Sequence, residues 1–185
     1  MFTLWKTDGT DSGTVLVKDI KSGGEGSNPD YLFEFNGKVY FQATDGSNGY
    51  ELWQTDGTES NTLMLKDIRP GTNGGAESSQ PHYFFSINSE LFFFIITSTD
   101  YELWTTDGTE GGTTKVIDVL HKTRYTPPFV YDNKAYVPMR SYDNNDNIEL
   151  YTFSYGALPN NGATCSADSD CTSGDCKSKC CRTLS

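Results

Sequence analysis

A short segment that recurs along the chain constrains the fold more than any other feature. It reads LWKTDGT at residues 4–10, LWQTDGT at residues 52–58 and LWTTDGT at residues 103–109. A degenerate fourth copy has Tyr151 at the tryptophan position. The copies lie about 50 residues apart, a period that matches one four-stranded blade of a repeat protein. We therefore expect one supersecondary unit to be repeated along the chain.

Each period contains four strand signals. In the unit that begins at Tyr31, apolar residues 31–35 and 38–43 flank Asn36 and Gly37, and Asn-Gly is the strongest short hairpin signal. No segment shows sustained helical periodicity. The fold class predicted is all-β: a β-propeller-like array of four-stranded antiparallel blades, plus a small disulfide-rich tail. The other predicted strands are 51–54 and 62–68, then 83–87, 91–96, 102–104 and 115–119, and finally 129–131, 134–137 and 148–151.

The blades are incomplete at both ends of the repeat region. Residues 4–20 form half a unit, and the last unit lacks its fourth strand. The leading segment could complete the last blade, further blades could lie upstream in a longer chain, or neighbouring copies could complete the sheet. We assign residues 1–156 to the blades, 157–164 to a linker and 165–185 to a truncated cysteine-rich module.

Charge and hydropathy exclude several partners. The formal net charge is -11, so a nucleic-acid backbone or an anionic membrane would repel the chain. No stretch approaches the ~20 apolar residues of a membrane-spanning helix. We therefore expect neither nucleic-acid binding nor membrane insertion.

The cysteines are confined to the tail. Such clustering in a polar segment favours disulfides, and hence an extracellular or cell-surface location, over zinc, since paired Cys-x2-Cys knuckles and histidines are missing there. One cysteine of the five has no partner in the tail, so it is expected to pair with a cysteine beyond this chain or with another subunit. No signal peptide precedes the first repeat, and we expect the chain to be truncated. The five are Cys165, Cys171, Cys176, Cys180 and Cys181.

The repeats resemble the ELWxxDGT repeat proteins. Residues 51–58, 65–68, 13–20 and 27–29 carry the likeness, which covers roughly residues 3–153. It implies large secreted or surface-attached proteins with propeller-like arrays and generally no assigned reaction. The chain departs from the pattern in the last repeat, which has lost its Asp-Gly-Thr. The tail resembles short cysteine-rich modules of eukaryotic extracellular proteins.

The Asp-Gly pairs of the repeat are interpreted as turn residues rather than catalytic ones. Aspartate bonds to the backbone two residues onward and glycine tolerates positive φ, so the pair suits a tight turn between the third and fourth strands. The same motif is loosely similar to the Asp-box of sialidases, which is also a structural hairpin. The residues are Asp8, Gly9, Asp56, Gly57, Asp107 and Gly108.

The recurring aromatic position is interpreted as core. Trp5, Trp53 and Trp104, with Tyr151 in the fourth copy, occupy one position of one strand, so each is expected to fill the same layer between blades. The alternative is an exposed row of rings that stack on sugars.

The oxygen-rich loops between the second and third strands are calcium candidates. Asp45 lies in one, and Asp143 and Asp146 lie in the equivalent loop of the last unit. Calcium takes 6–8 oxygen ligands, but neither loop has EF-hand spacing. A solvated turn is favoured, with the Asp143 loop the better calcium candidate; otherwise no cofactor is expected.

Nothing in the sequence indicates catalysis. His82 and His121 are the two histidines and lie in non-equivalent contexts. Glu51, Glu102 and Glu149 recur with the repeat, as residues that serve the blade would. We expect a non-catalytic extracellular structural protein that forms a cell-surface filament, appendage or matrix with copies of itself or related subunits. The alternative is a carbohydrate- or protein-binding adhesion module, and a distant third is a sialidase-like glycosidase.

Overall fold

The computed structural model describes residues 2–71, 77–97, 101–119, 127–140 and 148–154. Every regular element in these ranges is a β-strand. No helix long and apolar enough to cross a membrane occurs among them. The strands are β1 (Leu4–Lys6), β2 (Val15–Lys18), β3 (Asp30–Phe35), β4 (Lys38–Thr44), β5 (Tyr50–Thr55), β6 (Leu63–Lys66), β7 (His82–Ile87), β8 (Glu90–Ile96), β9 (Tyr101–Thr106), β10 (Thr114–Val119), β11 (Phe129–Tyr131), β12 (Lys134–Arg140) and β13 (Ile148–Ser154).

The strands form four antiparallel sheets in chain order. Sheet 1 is β1-β2, sheet 2 is β3-β4-β5-β6, sheet 3 is β7-β8-β9-β10 and sheet 4 is β11-β12-β13. The all-β prediction and the antiparallel sheets are confirmed, with two sheets of four strands. The leading segment pairs with itself as β1-β2. It therefore does not supply a fourth strand to sheet 4, where β13 lies at an edge.

The first hairpin of each of sheets 2, 3 and 4 turns through two residues with positive φ. This backbone matches the right-handed twist of the flanking strands, and Asn, Asp and Gly adopt it at least cost. The hairpins predicted at these three points therefore form as the turn chemistry requires. The pairs are Asn36 and Gly37, Asn88 and Ser89, and Asp132 and Asn133.

The apolar core lies in three layers, each between two successive sheets. Layer 1 joins sheets 1 and 2, layer 2 joins sheets 2 and 3, and layer 3 joins sheets 3 and 4. Layer 1 contains Leu4, Val17, Ile20, Phe41, Ala43 and Trp53. Layer 2 contains Tyr40, Leu52, Leu65, Phe84, Leu91, Phe93 and Ile95. Layer 3 contains Phe85, Ile87, Phe92, Phe94, Leu103, Ala135, Val137 and Phe153.

Successive residues of the repeat supply opposite faces of a sheet. Because side chains alternate along a strand, the Leu and Trp of each copy point to different layers. Leu52 lies in layer 2, toward sheet 3, whereas Trp53 lies in layer 1, toward sheet 1. In sheet 3, Leu103 lies in layer 3 and Trp104 packs against layer 2. Each sheet thus presents its Leu face forward along the chain and its Trp face backward.

A lysine bridge also joins neighbouring sheets. Lys18 Nζ donates to the carbonyl oxygen of Thr62 at 2.7 Å, which connects sheet 1 to the turn of sheet 2. At the equivalent position of the next repeat, Lys66 Nζ donates to Thr113 O at 2.8 Å. The same ammonium lies 5.9 Å from the centre of the Trp104 ring. Both bridges run from the last strand of one sheet to the turn of the next.

We expect Lys66→Met to lower the free energy of unfolding by about 1–3 kcal/mol, because the apolar stem remains while a charged donor is lost. Denaturant titration followed by tryptophan fluorescence measures the change. Lys134→Met, which removes the same charge from an exposed position, is the matched control and should change stability by no more than about 0.5 kcal/mol. Equal effects of the two variants would show that the bridge contributes nothing.

Candidate functional site

The three repeat aspartates are engaged within their own turns. Oδ1 of Asp56 accepts hydrogen bonds from the backbone N–H of Thr58 at 2.9 Å and from its hydroxyl at 2.6 Å. Asp8 and Asp107 make the equivalent pair of bonds. Bonds from the Thr58 hydroxyl, the Asn61 amide and the Thr58 N–H lower the pKa of Asp56 to about 2. The glycines that follow, Gly9, Gly57 and Gly108, have φ of 92°, 87° and 87°.

A threonine pair closes each of these turns, and sequence reasoning missed it. The hydroxyls of Thr55 and Thr62 lie 2.7 Å apart in a buried position, and those of Thr106 and Thr113 repeat the distance. The signal was present, since a threonine precedes every repeat aspartate and another lies directly before every following strand. The turn is therefore a self-contained polar unit.

The aromatic repeat position is not equally buried in every sheet. Trp53 is 6% exposed, and Trp104 is half-buried with its Nε1 donating to Glu102 at 2.8 Å. Trp5 is 56% exposed, which departs from the expected common core position. The reason is that its side chain lies on the backward face of sheet 1, opposite the face that packs in layer 1. Tyr151 pairs with Val137 in sheet 4, and its side chain lies outside the described positions.

The acidic loop at Asp45 is a hydrogen-bonded turn. Its carboxylate accepts from the backbone N–H groups of Ser47 at 2.8 Å and Asn48 at 3.0 Å, and from the Asn48 amide at 2.8 Å. In the part of the chain that the structure describes, no three acidic, histidine or cysteine side chains gather to hold a metal. The calcium candidates Asp143 and Asp146, His121 and the cysteines Cys165, Cys171, Cys176, Cys180 and Cys181 lie outside the described residues.

A cleft between β3 and β7 is the clearest candidate site. Both strands begin with a β-bulge, between Asp30 and Phe33 in β3 and between His82 and Phe85 in β7. Within each bulge a tyrosine adopts positive φ, 55° at Tyr31 and 52° at Tyr83. Such a backbone is unusual for a bulky residue and is found mostly where the surrounding structure enforces it. The bulges turn the two tyrosines out of the regular alternation of the strands.

Four aromatic rings meet at this point. Tyr31 lies 5.8 Å from both His82 and Tyr83, measured between ring centres. His82 lies 4.6 Å from Tyr83 and 5.5 Å from Tyr101. His82 is 4% exposed, its Nδ1 donates to Gln80 O at 2.8 Å, and burial lowers its pKa. The imidazole is therefore neutral at pH 7.

Two adjoining cavities open beside these rings. One, of about 110 Å³, is lined by the aromatic group together with Asp30, Gln42 and Gln80. The other, of about 360 Å³, shares those three residues and adds Asn28, Tyr50 and Ser78. The Oε1 atom of Gln42 is buried and has no hydrogen-bond partner in the described part of the chain. The cleft thus combines aromatic rings at one end with amides and hydroxyls at the other.

Glu51 fixes the wall of the cleft. This carboxylate is fully buried and accepts from the Ser79 hydroxyl at 2.6 Å, from Ser79 N at 3.0 Å and from Ile68 N at 2.8 Å. Burial raises its pKa, and the bonds from Ser79 and Ile68 oppose the rise. Glu102, the next copy, is half-buried and instead accepts from Trp104, and the Glu149 side chain is outside the described positions. The recurring glutamate therefore has a different role in sheet 2 from that in sheet 3.

We expect Ser79→Ala to lower the free energy of unfolding by about 1–3 kcal/mol at pH 7, because a buried carboxylate loses a donor. Loss of the donor also raises the folded-state pKa of Glu51 further. A raised carboxyl pKa contributes stability below the unfolded pKa and loses it as pH rises through the folded value. The penalty should therefore be larger at pH 7 than at pH 4, as measured by urea unfolding. Ser60→Ala, at an exposed turn position, is the control, and a penalty independent of pH would contradict the link to Glu51.

Comparison with protein-family models, with curated proteins and with solved structures finds no match to this chain.

Proposed function

We propose that the chain is a non-catalytic, extracellular structural protein that assembles copy to copy into a cell-surface filament, appendage or matrix. Its four sheets are taken as consecutive blades of a propeller-type array of the ELWxxDGT kind. The observation that supports assembly is the pair of open apolar faces at the two ends of the sheet series. Each is one half of the interface that recurs inside the chain.

The outer face of sheet 4 is a forward, Leu-type face, and no other sheet of the described residues packs on it. The ladder places Phe129 opposite Tyr136, and Tyr131 and Leu150 follow on the same side by the two-residue alternation. These three apolar side chains are 67%, 66% and 62% exposed. Leu150 holds the repeat position of Leu52 and Leu103, both of which are buried in a layer.

The outer face of sheet 1 is a backward, Trp-type face. Trp5 pairs with Leu16 across the ladder, so the two side chains share one side of the sheet, where they are 56% and 45% exposed. The equivalents of Trp5 in sheets 2 and 3 pack against the preceding sheet.

The forward face of sheet 4 and the backward face of sheet 1 are of the same two kinds that pack against each other in layers 1 and 2. Contact between the forward face of one copy and the backward face of another is heterologous, and repetition of such contacts builds a ring or an open filament. Contiguous exposed apolar groups on a soluble protein commonly mark interaction surfaces. A non-catalytic role agrees with aspartates that are engaged in turns and glutamates that hold the blade.

We expect the protein to form concentration-dependent oligomers that Trp5→Glu or Leu150→Glu each abolish, because a charge in the apolar contact would be desolvated without a partner. An equimolar mixture of the two variants should form dimers and nothing larger. In that pair the intact forward face of the first variant meets the intact backward face of the second. Sedimentation velocity measures the species.

Leu63→Glu is the matched control, because Leu63 is 40% exposed on β6 of an internal sheet, and it should assemble as the unaltered protein does. Circular dichroism checks that all variants stay folded. A monomer at every concentration would overturn the proposal. Dimers formed by one variant alone would instead indicate a symmetric contact through its intact face.

The fifth cysteine of the tail leads to a second prediction, that disulfide bonds crosslink the assembled copies. With five cysteines, one remains after two disulfides have formed within a tail. We expect non-reducing electrophoresis of material from the native source to show high-mass species that collapse on reduction. Identical monomer bands with and without reductant would show that copies are not crosslinked by disulfides. The apolar contact between copies would still be tested by the variants above.

A further inference from the structure

We propose that the cleft between β3 and β7 binds a neutral sugar ring of a glycan. This goes beyond the assembly role, since the cleft lies between sheets 2 and 3 and involves none of the exposed residues of the two outer faces. Three features of the cleft support a neutral polyhydroxylated ligand: its aromatic wall, its unsatisfied amide and its charge.

The aromatic wall offers a surface for stacking. Tyr31 is 39% exposed and lines the smaller cavity together with Tyr83 and Tyr101. The face of an aromatic ring is electron-rich and attracts the polarised C–H groups on the apolar side of a pyranose ring. The hydroxyl end of tyrosine remains polar, which suits a ligand that carries both C–H and O–H groups.

The polar wall has hydrogen-bonding capacity that the protein leaves unused. Gln42 Oε1 is buried and has no partner among the described residues, and an unsatisfied buried acceptor destabilises the folded protein. A hydroxyl donor that enters the cleft would satisfy it. Asp30 and Gln80 line both cavities beside it. A carboxylate and two amides in one cleft can accept from and donate to several neighbouring hydroxyls.

Charge selects among sugars. Among the residues that the structure describes, Asp30 is the one charged side chain that lines either cavity, and His82 is neutral because burial lowers its pKa. In this described lining, an acidic sugar such as sialic acid would meet a carboxylate and no cation. A neutral hexose meets amides, hydroxyls and rings, and is therefore the expected ligand class.

The backbone of the cleft is held in place before any ligand arrives. Gln80 N donates to Tyr50 O at 3.0 Å, Tyr50 N donates to Ser78 Oγ at 3.0 Å, and Ile96 N donates to Ser79 O at 2.9 Å. These bonds join the segment before β7 to both sheets 2 and 3. Preorganised walls lower the entropy lost on binding. Tyr31 and Tyr83 have positive φ, a backbone strain of the kind that clusters at functional sites.

The test screens the full-length protein on an array of neutral and sialylated glycans, followed by titration with methyl glycosides of glucose, galactose, mannose and N-acetylglucosamine. Choline serves as a cationic probe of the same aromatic group. We expect binding to at least one neutral glycoside, and none to choline or to sialic acid as the terminal sugar. Failure to bind any neutral sugar, or binding of choline alone, would overturn the proposal.

Two variants separate binding from stability. Tyr31→Asn removes the ring but suits the positive φ, since asparagine is enriched there. Gln42→Leu removes the unpartnered buried amide. We expect both to weaken sugar binding about tenfold or more, whereas Gln42→Leu should raise the melting temperature. Leu32→Asn, at an exposed neighbouring position on β3, is the control and should bind normally. Unchanged affinity in both cleft variants would place the sugar elsewhere.

The same variants separate this proposal from the assembly role. Tyr31→Asn should sediment as the unaltered protein does, and Trp5→Glu should retain sugar binding. Loss of one property without the other is the expected result in each case.

Discussion

The fold depends on the burial of both apolar faces of each internal sheet against its neighbours. In sheet 2, Leu52 faces forward and Trp53 faces backward. Exposure of either face to water would therefore lose hydrophobic stabilisation. A single sheet of this kind is not a stable unit, and neighbours on both sides are required. Stability in such an array is the sum of contacts between neighbours, as in other repeat proteins. The open faces of sheets 1 and 4 follow from the same rule applied at the two ends of the series.

Hydrogen bonds between sheets fix how the sheets are placed relative to one another across these apolar layers. Lys18 and Lys66 each reach from one sheet to the turn of the next, and they fix the position of one repeat relative to its neighbour. In sheet 3 the equivalent position holds Ile117, so the contact with sheet 4 relies more on packing, for example on the edge-to-face pair of Phe92 and Phe153 at 5.3 Å. Among the described residues, lysine bridges thus join sheets 1 and 2 and sheets 2 and 3, and sheets 3 and 4 meet through layer 3.

The strands and hairpins could be predicted from the sequence because they depend on local chemistry. The Asn36-Gly37 turn and the repeated Leu-Trp pair determine where strands begin and which faces they bury. The exposure of Trp5 could not be predicted, because burial depends on which sheet lies beside the residue. The cleft was missed for a related reason. It unites Gln42 and Gln80 from two repeats and depends on bulges at Tyr31 and Tyr83, which a two-residue period does not reveal.

The cleft also lies where the repeats differ in chemistry. Asp30 and His82 hold the same position in their bulges, and their ladder partners Gln42 and Phe94 are likewise equivalent. One backbone shape therefore carries an acid and an amide in sheet 2 but an imidazole and a phenyl ring in sheet 3. Residues that pack in the layers or form the turns must recur in each repeat. The four positions in the bulges and their ladder partners can differ between repeats, because Glu51 and Ser79 hold the wall of the cleft in place. A scaffold of repeated sheets can thus include a binding cleft without weakening the contacts on which it depends.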